Sequence, residues 1–486
     1  MKSTVPEERI STLVDRPPTG DYVLYWMTGY RRLRSNFALQ RAADWSRHLK
    51  LPLVVFVALR SDYPWANDRI HAFAIDGIAD VVAGCAGRVA CVAYVEPEPA
   101  ASKGLLKRLT RDAAVMVGDD APIFFLPAAR QAAVGQTQCR FEVVDHNGLV
   151  PMAATDREFR RAVDLRRFNQ QVLPDHLDDL PDADPLADLT ETMPAGVASV
   201  MAGFPSAPVR RDVVADLPID HGVGATALIG GERAAQTRLA EFVTSGLLRY
   251  DERNQPDAQA ESGLSPFLHF GQISVHDVFL AVTRSEDWSP TELSPSSRGG
   301  RVGWWGLSEQ AEGFLDQVVT WRDIGYRAAY RDSAYDQYDA LPEWARRTLQ
   351  EHATDPRDHL YSLDEFASAG THDEVWNAAQ RQLVETGTIH NYLRMLWGKK
   401  ILEWTEHPVV AHDVMFELNN RYALDGRDPN SVSGIHWVLG RFDRAWGPER
   451  DIFGKVRYMT SQSTLRKLRL KSYLSNYGAN RPLQLD

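Results

Sequence analysis

Apolar residues run in short unbroken stretches through the first third of the chain and recur at three- and four-residue intervals through the last half. Tyr22-Val-Leu-Tyr-Trp-Met27 and Pro52-Leu-Val-Val-Phe-Val-Ala58 read as strands buried on both faces, with further strands near 89–95, 113–117 and 141–144. Helical spacing fills the gaps over about 35–49 and 70–83. Strands alternating with helices predict a doubly wound parallel sheet. From Glu232 onward the period is helical, with helices expected over 232–248, 274–284, 308–331, 342–351, 373–385, 389–405 and 408–420. Ser265-Pro266 marks another helix start, Pro suiting the first helical position. Residues 174–230 are acidic and proline-rich at first, then lack sustained periodicity, which predicts a connection laid over the surface. The expected organisation is an α/β domain over 20–173, a linker over 174–230 and an all-α domain over 231–475.

The densest helical stretch runs from His390 to Trp404. Leu393, Leu396, Trp397, Ile401 and Trp404 fall on one period, and the two indoles lie two turns apart, about 10 Å along the axis. Trp376 opens the preceding helix, and Arg394 and Asp425 carry opposite charges nearby. On residues alone this is either a dense core or a functional cluster.

At 486 residues two domains are expected. No run of eighteen apolar residues occurs and residues 1–18 hold no apolar signal core, so a cytoplasmic protein without a membrane span is expected. Three cysteines, Cys85, Cys91 and Cys139, suit a reducing compartment and are too few for the usual four thiolates of an iron–sulfur cluster. The turn after the first long strand, Thr28-Gly-Tyr-Arg-Arg-Leu-Arg34, lacks Gly-x-Gly-x-x-Gly, which disfavours a nicotinamide dinucleotide there. A net charge of −11 argues against indiscriminate nucleic-acid binding. The sign reverses locally between Arg441 and Lys471, where Arg441, Arg444, Lys455 and Arg457 belong to a basic run able to track a phosphate backbone.

Several stretches resemble the photolyase/cryptochrome family in order and spacing. They are Tyr250-Asp-Glu-Arg-Asn-Gln-Pro256 leading to Ser262-Gly-Leu-Ser-Pro-Phe-Leu-His-Phe-Gly-Gln272, then Trp321-Arg-Asp323, then the His390–Trp404 stretch. Leu418-Asn-Asn-Arg-Tyr-Ala-Leu-Asp-Gly-Arg-Asp-Pro-Asn430 followed by Trp437 is most similar to the class II cyclobutane pyrimidine dimer photolyases. Weaker echoes lie in the α/β part, in Tyr25-Trp-Met27 with Asn36-Phe-Ala-Leu39 and in His146-Asn-Gly-Leu-Val-Pro151. The resemblance implies a Rossmann-like α/β domain followed by an all-α FAD-binding domain.

Carried over residue by residue, it implies a folded-back FAD with its diphosphate on Ser262, Leu264 and Ser265, where small hydroxyls and free amides at a helix start suit a dianion. Tyr250, Arg322, Asn391 and Asp428 are further implied contacts, Arg394 and Asp425 pair beside the flavin, and Asn419 faces its N5. Trp397 is implied nearest the flavin and Trp376 the surface-side electron relay, with Trp404 an auxiliary member. Trp321, Met395 and Trp437 would receive a pyrimidine dimer flipped out of UV-damaged DNA, since a damaged pair stacks poorly and is less costly to extrude. Trp446 and the basic run (Arg441, Arg444, Lys455, Arg457) would hold flanking DNA. An antenna chromophore, a folate or a deazaflavin, is often carried by the α/β domain, and a monomer is expected.

The chain also departs from the class II pattern. Gln317 stands four residues before Trp321, where a Glu that hydrogen-bonds the dimer is usual; an amide keeps donor and acceptor atoms but cannot ionise. Ile324-Gly-Tyr-Arg-Ala-Ala-Tyr330 differs, the segment between Trp437 and Trp446 is short, and His390-Asn391 is more similar to other photolyase classes. Light-driven dimer repair is the leading expectation. A cryptochrome-like photoreceptor without repair activity and a (6-4) photolyase are the alternatives.

Overall fold

The computed structural model describes residues 3–479, and the chain divides into two compact units. The first comprises Met1–Arg157, Asn169–Glu241 and Gly263–Leu293, the second Glu158–Phe168, Phe242–Ser262 and Ser294–Asp486.

The first unit is built on six strands: β1 (Ile10–Val14), β2 (Tyr22–Met27), β3 (Leu53–Leu59), β4 (Ala90–Val95), β5 (Ala113–Asp119) and β6 (Arg140–Val144). Their order is β1-β6-β5-β2-β3-β4, parallel throughout except for β1, which pairs antiparallel with β6. The five parallel strands are those the apolar runs predict. β1 was not foreseen, because Ile10-Ser-Thr-Leu-Val14 is an edge strand with three exposed residues and carries no apolar run. Helix α1 (Phe37–Leu49) starts where Asn36 Oδ1 accepts the Leu39 amide at 2.9 Å and stops at Lys50 in the left-handed region. Helix α2 (Asp68–Cys85) is capped the same way by Asn67 on Ile70. Leu24, Val54, Phe56, Met116 and Phe141 fill one core of this unit.

The compact units divide the chain differently from the expected boundaries. Residues 174–230 belong to the first unit, together with the helices Glu232–Glu241 and Val275–Ser285. The 174–230 segment is no free linker, because polar bonds strap it down. The Asp182 amide donates to Gln40 Oε1 at 2.9 Å, Arg47 and Arg88 pair with Asp188 and Asp184, and the Asp220 amide donates to the Ala66 carbonyl at 2.9 Å. Those partners are side chains and loop carbonyls scattered along the chain, so no local period announces them.

The second unit is helical. Its principal members are α3 (Arg322–Arg331), α4 (Glu374–Thr386), α5 (Asn391–Glu403), α6 (Pro408–Tyr422) and α7 (Pro429–Val438). α3 continues from Glu309–Leu315 through a π-helical turn at Asp316–Trp321, so the helix expected over 308–331 exists with one wide turn inserted. α7 was not expected; Ser431, Ser433 and Gly434 interrupt its apolar period. Trp376, Leu393, Leu396, Trp397, Ile401, Met415 and Leu418 share one core. Among the described residues no helix is long and apolar enough to cross a membrane.

Helix α3 packs on α7 at a glycine. A Cβ on Gly325 would stand 2.5 Å from the Pro429 carbonyl oxygen and 3.0 Å from Ser433 Oγ, whereas one on Gly434, also in α7, would meet nothing within 4 Å. Gly325→Ala should therefore lower stability by about 1–3 kcal/mol through forced backbone separation. Gly434→Ala should be neutral or stabilising by up to about 1 kcal/mol. Paired thermal melts that failed to separate the two variants would contradict this packing.

Candidate functional site

α5 projects the central residues of the site. Its first two turns carry Asn391, Arg394 and Met395 and its middle carries Trp397, and all four line a cavity of about 830 Å³ within the second unit. That volume falls in the range of small-molecule and cofactor sites. Gln317 and Trp321 reach the same cavity from the π-helical turn, a distortion that recurs at functional sites. Asn419 comes from the end of α6, Ser431 and Trp437 from α7, and Trp446 and Arg457 from the chain that follows.

The polar groups are tied to one another. Arg394 Nη2 lies 2.8 Å from Asp425 Oδ1, the pair that the sequence places together. Asn419 Nδ2 donates to Ser431 Oγ at 2.9 Å and to Asn420 Oδ1 at 3.2 Å. Asn420 Oδ1 also accepts the amide of Arg427, a residue in the left-handed region, so this turn fixes Asn419. His390, at the N-cap of α5, has its imidazole pushed down to about 4 by burial and is neutral around pH 7.

Three indoles run away from the cavity. Trp397 and Trp376 are parallel within 3°, with centroids 6.4 Å apart. Trp376 then meets Trp404 at 6.0 Å and 68°. Trp376 Nε1 donates to the Trp397 carbonyl at 3.0 Å, and Trp397 Nε1 donates to Gln380 Oε1 at 2.9 Å. The Asp373 side chain caps α4 on the Trp376 amide at 3.0 Å and holds that ring at the helix start. The placement corrects one expectation: Trp376 is not surface-side. It is 0 % exposed and lies between Trp397 and Trp404, because α4 crosses α5 at the level of both its tryptophans.

Another part of the lining is aromatic and cationic. Trp321 and Trp437 both belong to it and are partly exposed. The Arg457 guanidinium lies 4.0 Å from the Trp446 ring centroid and 5.3 Å from that of Trp437. It is held by two bonds to Asp443, at 2.8 and 3.2 Å. Burial opposes ionisation of Asp443, but Arg457 and the Arg444 amide hold its carboxyl below the usual range. Arg253, Arg301, Arg394, Arg450, Arg457 and Lys467 line the cavity against one acid, Asp443, so it is positive within an acidic chain.

Other expected residues lie elsewhere. Arg441 cannot serve as a phosphate clamp: it is 9 % exposed and its Nη1 donates to the Tyr335 carbonyl at 3.0 Å. Arg444 and Lys455 are outside the cavity lining, Arg444 lying 4.2 Å from the Trp446 ring centroid and Lys455 pairing with Glu449 at 2.9 Å. Tyr250 packs edge-on against Phe242 and Phe314, away from the lining. Arg322 covers the Tyr326 ring at 3.8 Å, and Asp428 caps α7 while accepting the Tyr326 hydroxyl at 2.7 Å. Ser262 belongs to the second unit, Leu264 and Ser265 to the first, where Ser265 opens the short helix Ser265–His269. Sequence reading missed Gln380 and Ser431. Gln380 was within reach, four residues after Trp376 and hence on the same helix face.

No family model matches the chain. Curated relatives do. A deoxyribodipyrimidine photolyase of Methanothermobacter thermautotrophicus is 35% identical over 96% of this chain and 97% of its own. One of Oryza sativa subsp. japonica is 31% identical over 94% of this chain and 87% of its own. Among solved structures, a bacterial class III photolyase from Agrobacterium tumefaciens superposes with a TM-score of 0.64 at 18% identity, covering 96% of this chain and 88% of that one. An archaeal photolyase from Sulfolobus tokodaii gives 0.60 at 14% identity, covering 88% and 86%. The α/β and helical architecture is that of a photolyase. The chain belongs to the deoxyribodipyrimidine photolyase family.

Beneath Trp437 lies Lys399, wholly buried, its Nζ donating to the Val438 carbonyl at 2.5 Å and standing 5.3 Å from the Trp437 ring. Burial pushes its ammonium down to about 7. An unfolded lysine titrates near 10.4, so between these values the unfolded chain binds the extra proton and stability rises with pH. Below about pH 7 both states are protonated and the burial penalty is present in full. Lys399→Met should therefore raise the melting temperature, relative to the parent, more at about pH 6 than at about pH 10. A difference constant across that window would contradict the buried charge.

Proposed function

We propose that this chain repairs cyclobutane pyrimidine dimers in DNA with light, using FAD bound in the helical unit, as a divergent member most similar to class II. The observation that carries the reading is the near-full-length 35% identity to a deoxyribodipyrimidine photolyase. The positive, tryptophan-walled cavity beside a run of indoles supports it.

The residues present fit a flavin. Asn419, Arg394 with Asp425, and Asn391 would hold the ring system, with Trp397 next to it, and Ser262 of the same unit would meet the diphosphate. When bound, the reduced flavin supplies the electron that light drives onto the dimer and that returns once the ring has split. The chain's own residues do the rest. Trp321, Trp437 and Met395 would receive the extruded bases on apolar surface. Gln317 would hydrogen-bond them as a neutral amide whose capacity does not change with pH. Trp397, Trp376 and Trp404 would pass electrons inward to keep the flavin reduced, since transfer between rings in near contact is fast. Arg450, Arg457 and Lys467 would neutralise flanking phosphates, which positions the duplex without reading its sequence. A light-harvesting second chromophore on the α/β unit belongs to the same reading, as does action by a monomer. The free cysteines support a reducing compartment such as the cytoplasm.

Irradiation of the photoreduced protein with a dimer oligonucleotide should restore the intact pyrimidines, while a (6-4) oligonucleotide should remain unchanged. Repair of neither by a protein with intact flavin would overturn the reading. Binding to dimer DNA should weaken steeply with salt, and Arg457→Ala should reduce the slope of log affinity against log salt by about 1. Trp376→Phe should retain flavin but strongly slow its photoreduction, read by absorbance under blue light with a thiol donor. An unchanged rate would remove Trp376 from the electron path.

A further inference from the structure

The line of rings continues past Trp404. The Tyr361 ring meets Trp404 at 5.7 Å and 77°, and the His372 ring meets it at 5.0 Å and 62°. The Tyr361 hydroxyl is 2.6 Å from His372 Nδ1 and accepts the His372 amide at 3.0 Å, while the Tyr361 amide donates to the Trp404 carbonyl at 3.1 Å. A second imidazole, His359, stacks on His372 at 3.8 Å and 28°. Exposure rises along the series: Trp404 is 3 % exposed, Tyr361 is half-buried, and His372 and His359 are exposed.

This placement has a chemical consequence. A phenol that loses an electron becomes a very strong acid, so a tyrosine is readily oxidised only when its proton has a base to go to. His372 Nδ1 is such a base if the imidazole is neutral. Desolvation and the neighbouring His359 hold its pKa below the ordinary value, against an opposing effect of Asp373. The other charges facing it, Lys400 and Glu403 on the last turn of α5, pair with each other at 2.6 Å, and Lys400 Nζ lies 5.2 Å from the Trp404 ring centroid.

We propose that Tyr361 and His372 form a proton-coupled outlet for the tryptophan relay. Trp404, oxidised through Trp376 and Trp397, takes one electron from Tyr361 while the phenolic proton passes to His372 Nδ1, leaving a neutral tyrosyl radical and an imidazolium. The inference rests on the reading above, in which a photoexcited flavin beside Trp397 is the first oxidant. A thiolate from solvent restores the pair by giving one electron to Tyr361 as His372 returns the proton, and itself leaves as a thiyl radical. The outlet places the positive hole at the surface, where a small reductant reaches it, and slows charge recombination inside.

The test is transient absorption and electron paramagnetic resonance on the flavin-loaded full chain after a blue flash. The parent protein should show a tryptophan radical decaying into a tyrosyl radical, more slowly in D2O. The tyrosyl yield should fall as pH drops through the imidazole range, because protonated His372 cannot accept. Tyr361→Phe should lose the tyrosyl signal and prolong the tryptophan radical, and His372→Gln should lose the pH dependence along with the fast step. A tryptophan radical of equal lifetime in the parent and Tyr361→Phe, with no tyrosyl signal in either, would overturn the proposal. Failure to bind flavin or to form any tryptophan radical would instead sink the underlying reading, and this proposal with it. Should either variant misfold, the H2O and D2O comparison on the parent protein decides alone.

Discussion

The hydrogen bond from the Trp376 indole to the Trp397 carbonyl fixes the geometry on which the site depends. A helical carbonyl already accepts one amide, and its second lone pair is free for a side chain. Trp376 uses that capacity to tie α4 to α5 without opening the α5 ladder. Gln380, one turn along α4, satisfies the Trp397 N–H, so both indoles of this contact are buried with their polar atom paired. Two such bonds between the same helices leave little freedom in ring orientation, and the 3° angle between the planes follows. The same rigid contact sets Trp397 against the cavity and leaves room for Trp404 on the far side of Trp376.

Much of the fold was readable from local pattern, and the exceptions share one cause. Strands β2 to β6 carry apolar runs because both faces of the parallel sheet are covered. β1 does not, because an antiparallel edge strand is half exposed. The 174–230 segment reads as a linker since three of its anchors, Gln40, Ala66 and Arg47, lie more than a hundred residues away in sequence and a fourth, Arg88, nearly as far. α7 hides behind Ser431, Ser433 and Gly434, which line the cavity and break the apolar period.

The site was legible in kind but not in arrangement. Spacing alone places Trp397 and Trp404 on one face of α5, and in the structure both rings lie beside Trp376. The order of the three rings depends on where α4 crosses, which a linear pattern does not encode. Arg441 shows the same limit from another side: its charge is plain in the sequence, its burial against the Tyr335 carbonyl is not. Gln317 was visible as a departure, yet its cavity-facing position depends on the wide turn at Asp316–Trp321 that no residue type signals.

The uneven charge of the molecule has a consequence for how it meets its polymer. A body carrying −11 overall repels a polyanion from most directions, while the cavity lined by Arg450, Arg457 and Lys467 attracts it. In the proposed repair of DNA, encounters would thereby be filtered by orientation before any lesion is inspected. Under the proposed repair function, weak attraction elsewhere would keep the protein from being held along intact duplex, so that a long strand would be sampled in many brief, correctly facing visits.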